Sequence, residues 1–265
     1  MTAPHDRGVP EAIGSRVRWT KEHLERLDRI CDGVAVGDTY EITRKVNRDA
    51  MQHTYYFTQL RPLPEDIALI VGDVVHNMRS VLDHVAFHAV TESRSRLTQE
   101  DKRQVTFVIA DSAELFSHQQ KRRGSAMGEV LTRIEAFQPY RGPRTYQNAH
   151  LAYLRDLSNT DKHRRLNIAV HVMEGFDLEQ WTGGDRLRSA SWFDGPLVNG
   201  AMALVAAFRS PQPEVDLSEA VKVRVGIGES LPRGLANSVV VSASERLRTT
   251  LRYIEDEVIP GVLGR

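Results

Sequence analysis

The chain has one cysteine among its 265 residues, Cys31. A single thiol cannot close an internal disulfide, so no disulfide framework holds this fold, and Cys31 reads as a small apolar residue on a helix face. No apolar run approaches the roughly 18 residues that a membrane-spanning helix needs. The first residues, Met1-Thr2-Ala3-Pro4-His5-Asp6-Arg7-Gly8, lack the apolar core of a signal peptide. The expectation is a cytoplasmic protein with no membrane partner. Excess charge is missing too: Lys plus Arg and Asp plus Glu number 35 each, so no global field draws nucleic acid to the chain. Internal repeats, low-complexity tracts and coiled-coil heptads are also absent. What remains is an ordinary globular composition, 41% hydrophobic and 26% charged, with length enough for one large domain or two small ones.

A more telling absence lies between Asp66 and Thr91, where there is neither Lys nor Glu. Ile70, Val74, Val75, Met78, Val81, Leu82 and Val85 form a broad apolar stripe at helical spacing, predicting a helix over about 66–90. Its other face carries Asp73, His76, Asn77, Arg79, Ser80, Asp83 and His84. A face that merely meets water is usually filled with Lys and Glu, which are good helix formers. Asn, Ser, Asp and His are poorer ones because their side chains compete for the backbone. Two accounts fit this choice. One is a polar seam, each group bonded to a packed neighbour; the other is a working site.

The rest of the chain gives an α+β fold: a helical bundle with an inserted β-hairpin and a small antiparallel sheet near the C-terminal part. Residues 13–33 read as a first helix ending at Gly33. Alternation around Tyr40 and Ile42, and again around Tyr55 and Phe57, predicts a hairpin of 39–46 and 52–60 closed by Pro62 and Pro64. Val105 to Ile109 is a short strand-like run, and Lys121-Arg122-Arg123-Gly124 reads as a basic loop. Helices are expected over 127–137 and 145–158, with the punctuated loop Gln138-Pro139-Tyr140-Arg141-Gly142-Pro143 between them. Strands are expected at 166–172, 203–208 and 221–228, followed by a helix over 236–258 that Pro260 and Gly261 stop. The organisation expected is therefore a bundle over 1–165 containing the hairpin 39–60, a β-rich segment over 166–235, and a C-terminal helix over 236–265 that packs back on the bundle.

A second polar cluster follows the helix that places Leu151, Leu154 and Leu157 inward. It comprises Asn159, Thr160, Asp161, Lys162, His163 and Arg164. Asn, Thr and Asp are good helix N-caps, so a turn between elements explains it. The same residues also offer an acceptor, cations and a titratable ring. The two clusters are expected to form one site, with His163 or Asp161 within hydrogen-bond or one-water reach of His76, Arg79 or Asp83.

Arg79-Ser80-Val81-Leu82-Asp83-His84 places an Arg, four residues and a His late in a bundle helix. This resembles the motif of the HEPN superfamily of helical ribonucleases and RNA-binding proteins, in which polar residues often stand beside one end of the pattern, as Asp83 does here. It covers about 30 residues. Separately, His76-Asn77-x-Arg79-Ser80-x-Leu82-Asp83-His84 with Gln138-Pro139-Tyr140 and Asn159-x-Asp161-Lys162-His163-Arg164 resembles a widespread set of bacterial proteins of unassigned function, over most of residues 38–165.

The HEPN resemblance implies a metal-independent endoribonuclease or RNA-binding protein, with RNA as partner, a homodimer that brings two motifs face to face, and no cofactor. Cleavage through the RNA's own 2′-OH needs a proton acceptor, a proton donor and a cation near the phosphorane. His84 would be the acid/base tuned by Asp83, Arg79 the cation, and His76 a further catalytic residue. Asn77, Asn159, Asp161, Lys162, His163 and Arg164 would bind or position. A second reading is a metal-dependent hydrolase built on His84 and His88, whose i, i+4 spacing lets two imidazoles share an ion, with Asp83, His76, Asp161 or His163 as further ligands. A third is a non-catalytic binding or regulatory module.

Overall fold

The apolar stripe over 66–90 forms the longest helix among the described residues. The computed structural model describes residues 9–34, 38–94, 96–141, 150–163, 166, 168–172, 186–193, 196–212, 214–221, 223–227 and 242–265. The helices are α1 (Glu11–Asp32), α2 (Asp66–Ser93), α3 (Gln99–Gln104), α4 (Ala113–Met127), α5 (Val130–Glu135), α6 (His150–His163), α7 (Ala243–Tyr253) and α8 (Ile259–Leu263). The strands are β1 (Tyr40–Asn47), β2 (Gln52–Gln59), β3 (Ile168–Val172), β4 (Leu187–Trp192), β5 (Pro196–Leu197), β6 (Met202–Phe208) and β7 (Val223–Ile227). The fold is α+β with two small antiparallel sheets, of order β1-β2-β6-β4 and β5-β3-β7. No helix among the described residues is long and apolar enough to cross a membrane.

The chain divides into two compact units. One comprises Met1–Arg26, Leu69–Leu166 and Ser244–Arg265; the other comprises Leu27–Ala68 and Asn167–Ala243. In the second unit the β1–β2 hairpin turns at Asn47, whose side chain accepts the Ala50 N–H at 3.0 Å, with Met51 in the left-handed region at φ 52°. The hairpin does not stand alone, because β2 pairs with β6. Alternate β2 residues His53, Tyr55 and Phe57 are buried with Ala203, Leu204, Ala206 and Phe208 of β6. The buried Tyr55 hydroxyl accepts the Leu217 N–H at 2.9 Å, so its polar tip is satisfied inside the core. Cys31 also belongs to this unit. Burial, with Asp28 and Asp32 nearby, pushes its thiol up to about 11, which suits an inert packing residue.

In the helical unit α2 buries Ile70, Val71, Val74, Val75, Met78, Val81, Leu82, Val85, Ala86, Ala89 and Val90. Burying such a side chain is worth roughly 1.5–3 kcal/mol, which outweighs the poor helix propensity of the polar face. Helix α1 buries Ile13, Val17 and Leu24, and its Thr20 hydroxyl turns back to the Arg16 carbonyl at 2.8 Å.

Four local expectations are corrected. Lys121 to Gly124 is not a loop but lies inside α4, which starts at the Ser112 N-cap (its side chain accepts from Leu115 N–H) and ends at Gly128, φ 53°. The run Val105–Ile109 has no regular secondary structure and, among the described residues, pairs with no strand. Asn159 to His163 is not a turn but the end of α6, because burial of Leu154, Leu157 and Ser158 carries the helix past residues that otherwise favour caps. Pro260 and Gly261 do not stop the last helix. Pro260 has no N–H for the carbonyl four residues back; the helix widens into a π turn over Ile254–Val258, where Ile259 N–H reaches Ile254 O, and continues to Leu263. The ring of Phe137 occupies the place a side chain at Gly261 would need. The expected helix start at 236 lies outside the described residues.

Candidate functional site

The polar face of α2 is divided among three uses. On one flank, Arg79 and Asp83, i and i+4, grip the segment after α3. One Asp83 carboxylate oxygen, Oδ1, accepts both the Thr106 hydroxyl at 2.7 Å and the Phe107 N–H at 2.8 Å. Arg79 Nη2 donates to the Phe107 carbonyl at 3.1 Å. Both backbone groups of a fully buried phenylalanine are thus bonded by side chains of one helix. From the other side, Gln138 accepts the Ala110 N–H at 2.7 Å and donates to the Val108 carbonyl at 2.8 Å. Arg123 adds a bond to the Gln104 carbonyl at 2.8 Å. The segment has strand-like sequence and no strand partner, and these side chains supply the bonds that buried backbone requires.

Burial lowers the pKa of the Arg79 guanidinium, and the Asp83 carboxylate opposes that shift. Arg79 Nη1 is buried and has no hydrogen-bond partner among the described residues. Burial likewise lowers the pKa of Arg123, with Arg122 adding to it.

On the opposite flank, Asn77 and His84, two turns apart, face α1. Together with Ala12, Ser15, Arg16 and Trp19 they line an open cleft of about 380 Å³, within the roughly 300–1,000 Å³ range of small-ligand sites. Asn77 Nδ2 is tied to its own helix, donating to the Asp73 carbonyl at 2.8 Å. The His84 ring is half-buried, and burial first, then the Arg16 charge, depress its pKa below 6.5, while Asp83 acts the other way. At neutral pH it is an unprotonated imidazole able to accept a proton. Arg16 is half-buried, and its guanidinium has no hydrogen-bonded or ionic partner among the described residues. At the cleft's edge Glu11 accepts from Ser15 Oγ at 2.9 Å and from Arg18 Nη2 at 2.7 Å, so Arg18 offsets that carboxylate.

Between the flanks, Asp73 and His76 are exposed, as are the apolar Leu69 and Phe87. His76, expected among the catalytic residues, therefore joins neither the clamp nor the cleft. The second cluster meets α2 at one point: a side chain at Gly72 would lie 2.9 Å from Asp161 Oδ1. Asp161 thus reaches α2 about one turn from His76, but among the described residues no hydrogen bond joins it to His76, Arg79 or Asp83. Asn159, Asp161 and Lys162 are exposed. The side chain of His163 and all of Arg164 lie outside the described residues, so their expected part in the site is not placed.

Among the described residues no three of His, Cys, Asp and Glu gather in a way that could hold an ion. His88, the proposed partner of His84 for a metal, instead has its Nε2 3.1 Å from Glu92 Oε1.

Three residues of this neighbourhood were not singled out by sequence. Arg16 and Trp19 lie on α1 outside its apolar stripe, and the available signal was a tryptophan placed among polar residues on an amphipathic helix. Gln138 has a place in the loop pattern and in the bacterial resemblance but no assigned role, and its buried amide helps hold the 105–110 segment. Comparison of the chain with family models, with curated proteins and with solved structures finds no match.

Proposed function

We propose that the helical unit is an RNA-binding, HEPN-like, metal-independent endoribonuclease with His84 as its acid/base. The observation that carries this reading is the cleft in which a neutral, half-buried His84 lies with Arg16, which has no partner among the described residues. In the reaction, His84 takes the proton of an RNA 2′-OH. The 2′-oxygen then bonds to the adjacent phosphorus, and the bond from phosphorus to the 5′-oxygen of the next nucleotide breaks. A proton passes to that leaving oxygen, giving a 2′,3′-cyclic phosphate and a 5′-OH. The HEPN resemblance supplies the expectation of a homodimer, in which a second copy contributes the proton donor.

The test is incubation of purified protein with single-stranded RNA in EDTA. Cleavage should yield cyclic-phosphate ends, stop when the nucleotide on the 5′ side of the cut carries 2′-deoxyribose, and be lost in His84→Ala with the melting temperature within a few degrees of wild type. The acid limb of the pH–rate profile should fall below pH 6.5, in line with the depressed pKa of His84. Cleavage unaffected by His84→Ala would refute the assignment. A non-catalytic binding module is favoured by one observation, the commitment of Arg79 and Asp83 to Phe107. RNA binding without cleavage under these conditions would decide for it.

A further inference from the structure

We infer that α1 supplies a subsite for one unpaired nucleotide, whose base stacks on Trp19 and whose phosphate pairs with Arg16. The inference deepens the ribonuclease reading and rests on it for the reaction, though the subsite itself is defined by geometry in the cleft.

Trp19 is 54% exposed at the cleft. A single exposed ring is common on a helix; this one is set apart by sharing a cleft with Arg16, Asn77 and His84. The ring is also positioned. His23 meets it at 83° with centroids 5.0 Å apart, which leaves at least one indole face uncovered by that contact. Any base has a π face that can stack there, whatever its identity.

Arg16 is three residues earlier, on the same side of α1 and within one turn. It lines the same cleft, is half-buried, and its guanidinium has no partner among the described residues. A cation with no counter-charge among the described residues favours a bound anion, and the planar fork of arginine suits two phosphate oxygens. On α1, the Glu11 carboxylate is paired with Arg18. Asn77 and His84 lie opposite on α2, where the amide oxygen of Asn77 remains available and the ring of His84 faces the bound sugar-phosphate. An aromatic face, a cation within one turn and a neutral imidazole across the cleft match a nucleotide better than an acidic peptide, which has no use for the stacking surface. A base engaged in a duplex has no free face, so the subsite selects single strands.

The experiment uses the full chain and a fluorescein-labelled 2′-O-methyl oligomer of ten adenylates, which binds but cannot be cleaved, with its duplex and AMP as comparison ligands. Trp19→Ala and Arg16→Ala should each weaken anisotropy-measured binding of the single strand on the order of ten-fold or more. Trp19→Phe should retain most of it, Arg16→Lys part, and the duplex should bind no better than the Trp19→Ala variant binds the single strand. Because Trp19 is exposed and Arg16 has no partner among the described residues, melting temperatures should hold. Binding of the single strand that is indifferent to both alanine variants overturns the subsite and leaves the RNA reading standing. No binding of the strand, but AMP binding that shifts the Trp19 indole N–H resonance and is lost in Arg16→Ala, upholds the subsite and removes the RNA reading. Failure of both ligands to bind overturns both.

Discussion

Removing the Asp83 carboxylate separates a structural from a catalytic account of the α2 polar face. Asp83 Oδ1 accepts two hydrogen bonds, from Thr106 and from the N–H of Phe107, a residue 1% exposed. Bonds to a charged acceptor contribute about 1.5–3 kcal/mol each, and a buried donor left unmet costs about 1–3 kcal/mol. The half-buried Arg79 charge also loses its compensating carboxylate. These contributions overlap, and breaking such a buried arrangement typically costs about 3–5 kcal/mol. Asp83→Ala should therefore destabilise the helical unit by about 4 kcal/mol. Asp83→Asn keeps an oxygen where Oδ1 stands, so both bonds survive as neutral ones, and the loss should be nearer 2 kcal/mol. Urea unfolding followed by circular dichroism reads both values, and amide exchange at Phe107 should quicken in the alanine variant. An Asp83→Ala protein within about 1 kcal/mol of wild type that nonetheless loses ribonuclease activity would refute the clamp and return Asp83 to the catalytic machinery.

Two further outcomes follow from the same unit. His150 is 5% exposed, lies against Tyr253 with ring centroids 4.9 Å apart, and has its pKa pushed by burial and then by Arg246 from 6.5 down to about 4. Since the unfolded chain takes up the proton first, stability is full above pH 6.5 and falls as pH drops from 6.5 toward 4, by about 3 kcal/mol in all at about 1.4 kcal/mol per pH unit; His150→Gln should flatten that slope, and an unchanged slope in urea titrations across the window would contradict it. Gly72→Ala should gain nothing in the wild-type background, because its Cβ would meet Asp161 Oδ1 at 2.9 Å, whereas beside Asp161→Ala it should gain the helix-propensity difference of about 1 kcal/mol; equal gains in both backgrounds would show that the contact carries no cost.

Much of α2 was legible in the chain because period and residue choice agree: the stripe through Val74, Met78 and Val85 fixes a helix, and the absence of Lys and Glu marks its far face as occupied. What occupies it was not legible. The partner of Asp83 is a backbone amide, and backbone groups have no sequence signature. Val105–Ile109 has the apolar, β-branched make-up of a strand, yet whether it pairs with a neighbour or is held by Gln138 and Asp83 depends on distant contacts. Strand β4, Leu187–Trp192, has only Leu and Trp at its ends and small or polar residues between, so its alternation is weak; it is held by pairing with β6. Arg16 and Trp19 escaped notice for the opposite reason. Single exposed side chains of either type are common on helices, and only the cleft between α1 and α2 makes them a pair.

The division of α2 also bears on how a linear Arg-x4-His pattern can work. Arg79 and His84 are five residues apart, and at about 100° per residue they stand about 140° apart around the helix axis. Two side chains on nearly opposite flanks of one helix cannot close on the same phosphate. The contacts agree: Arg79 reaches the Phe107 carbonyl while His84 opens to the α1 cleft. Asp83, adjacent to His84, turns with Arg79 rather than with the imidazole, so it influences His84 only through space. A site built on His84 must therefore recruit its phosphate-binding cation from another element or another copy of the chain. Arg16 of α1 meets that need within one copy: it lines the cleft with His84, its charge already depresses the His84 pKa, and it has no other partner among the described residues. On this geometry Arg79 serves the helix and the 105–110 segment, and under the proposed ribonuclease reading the cation would come from α1.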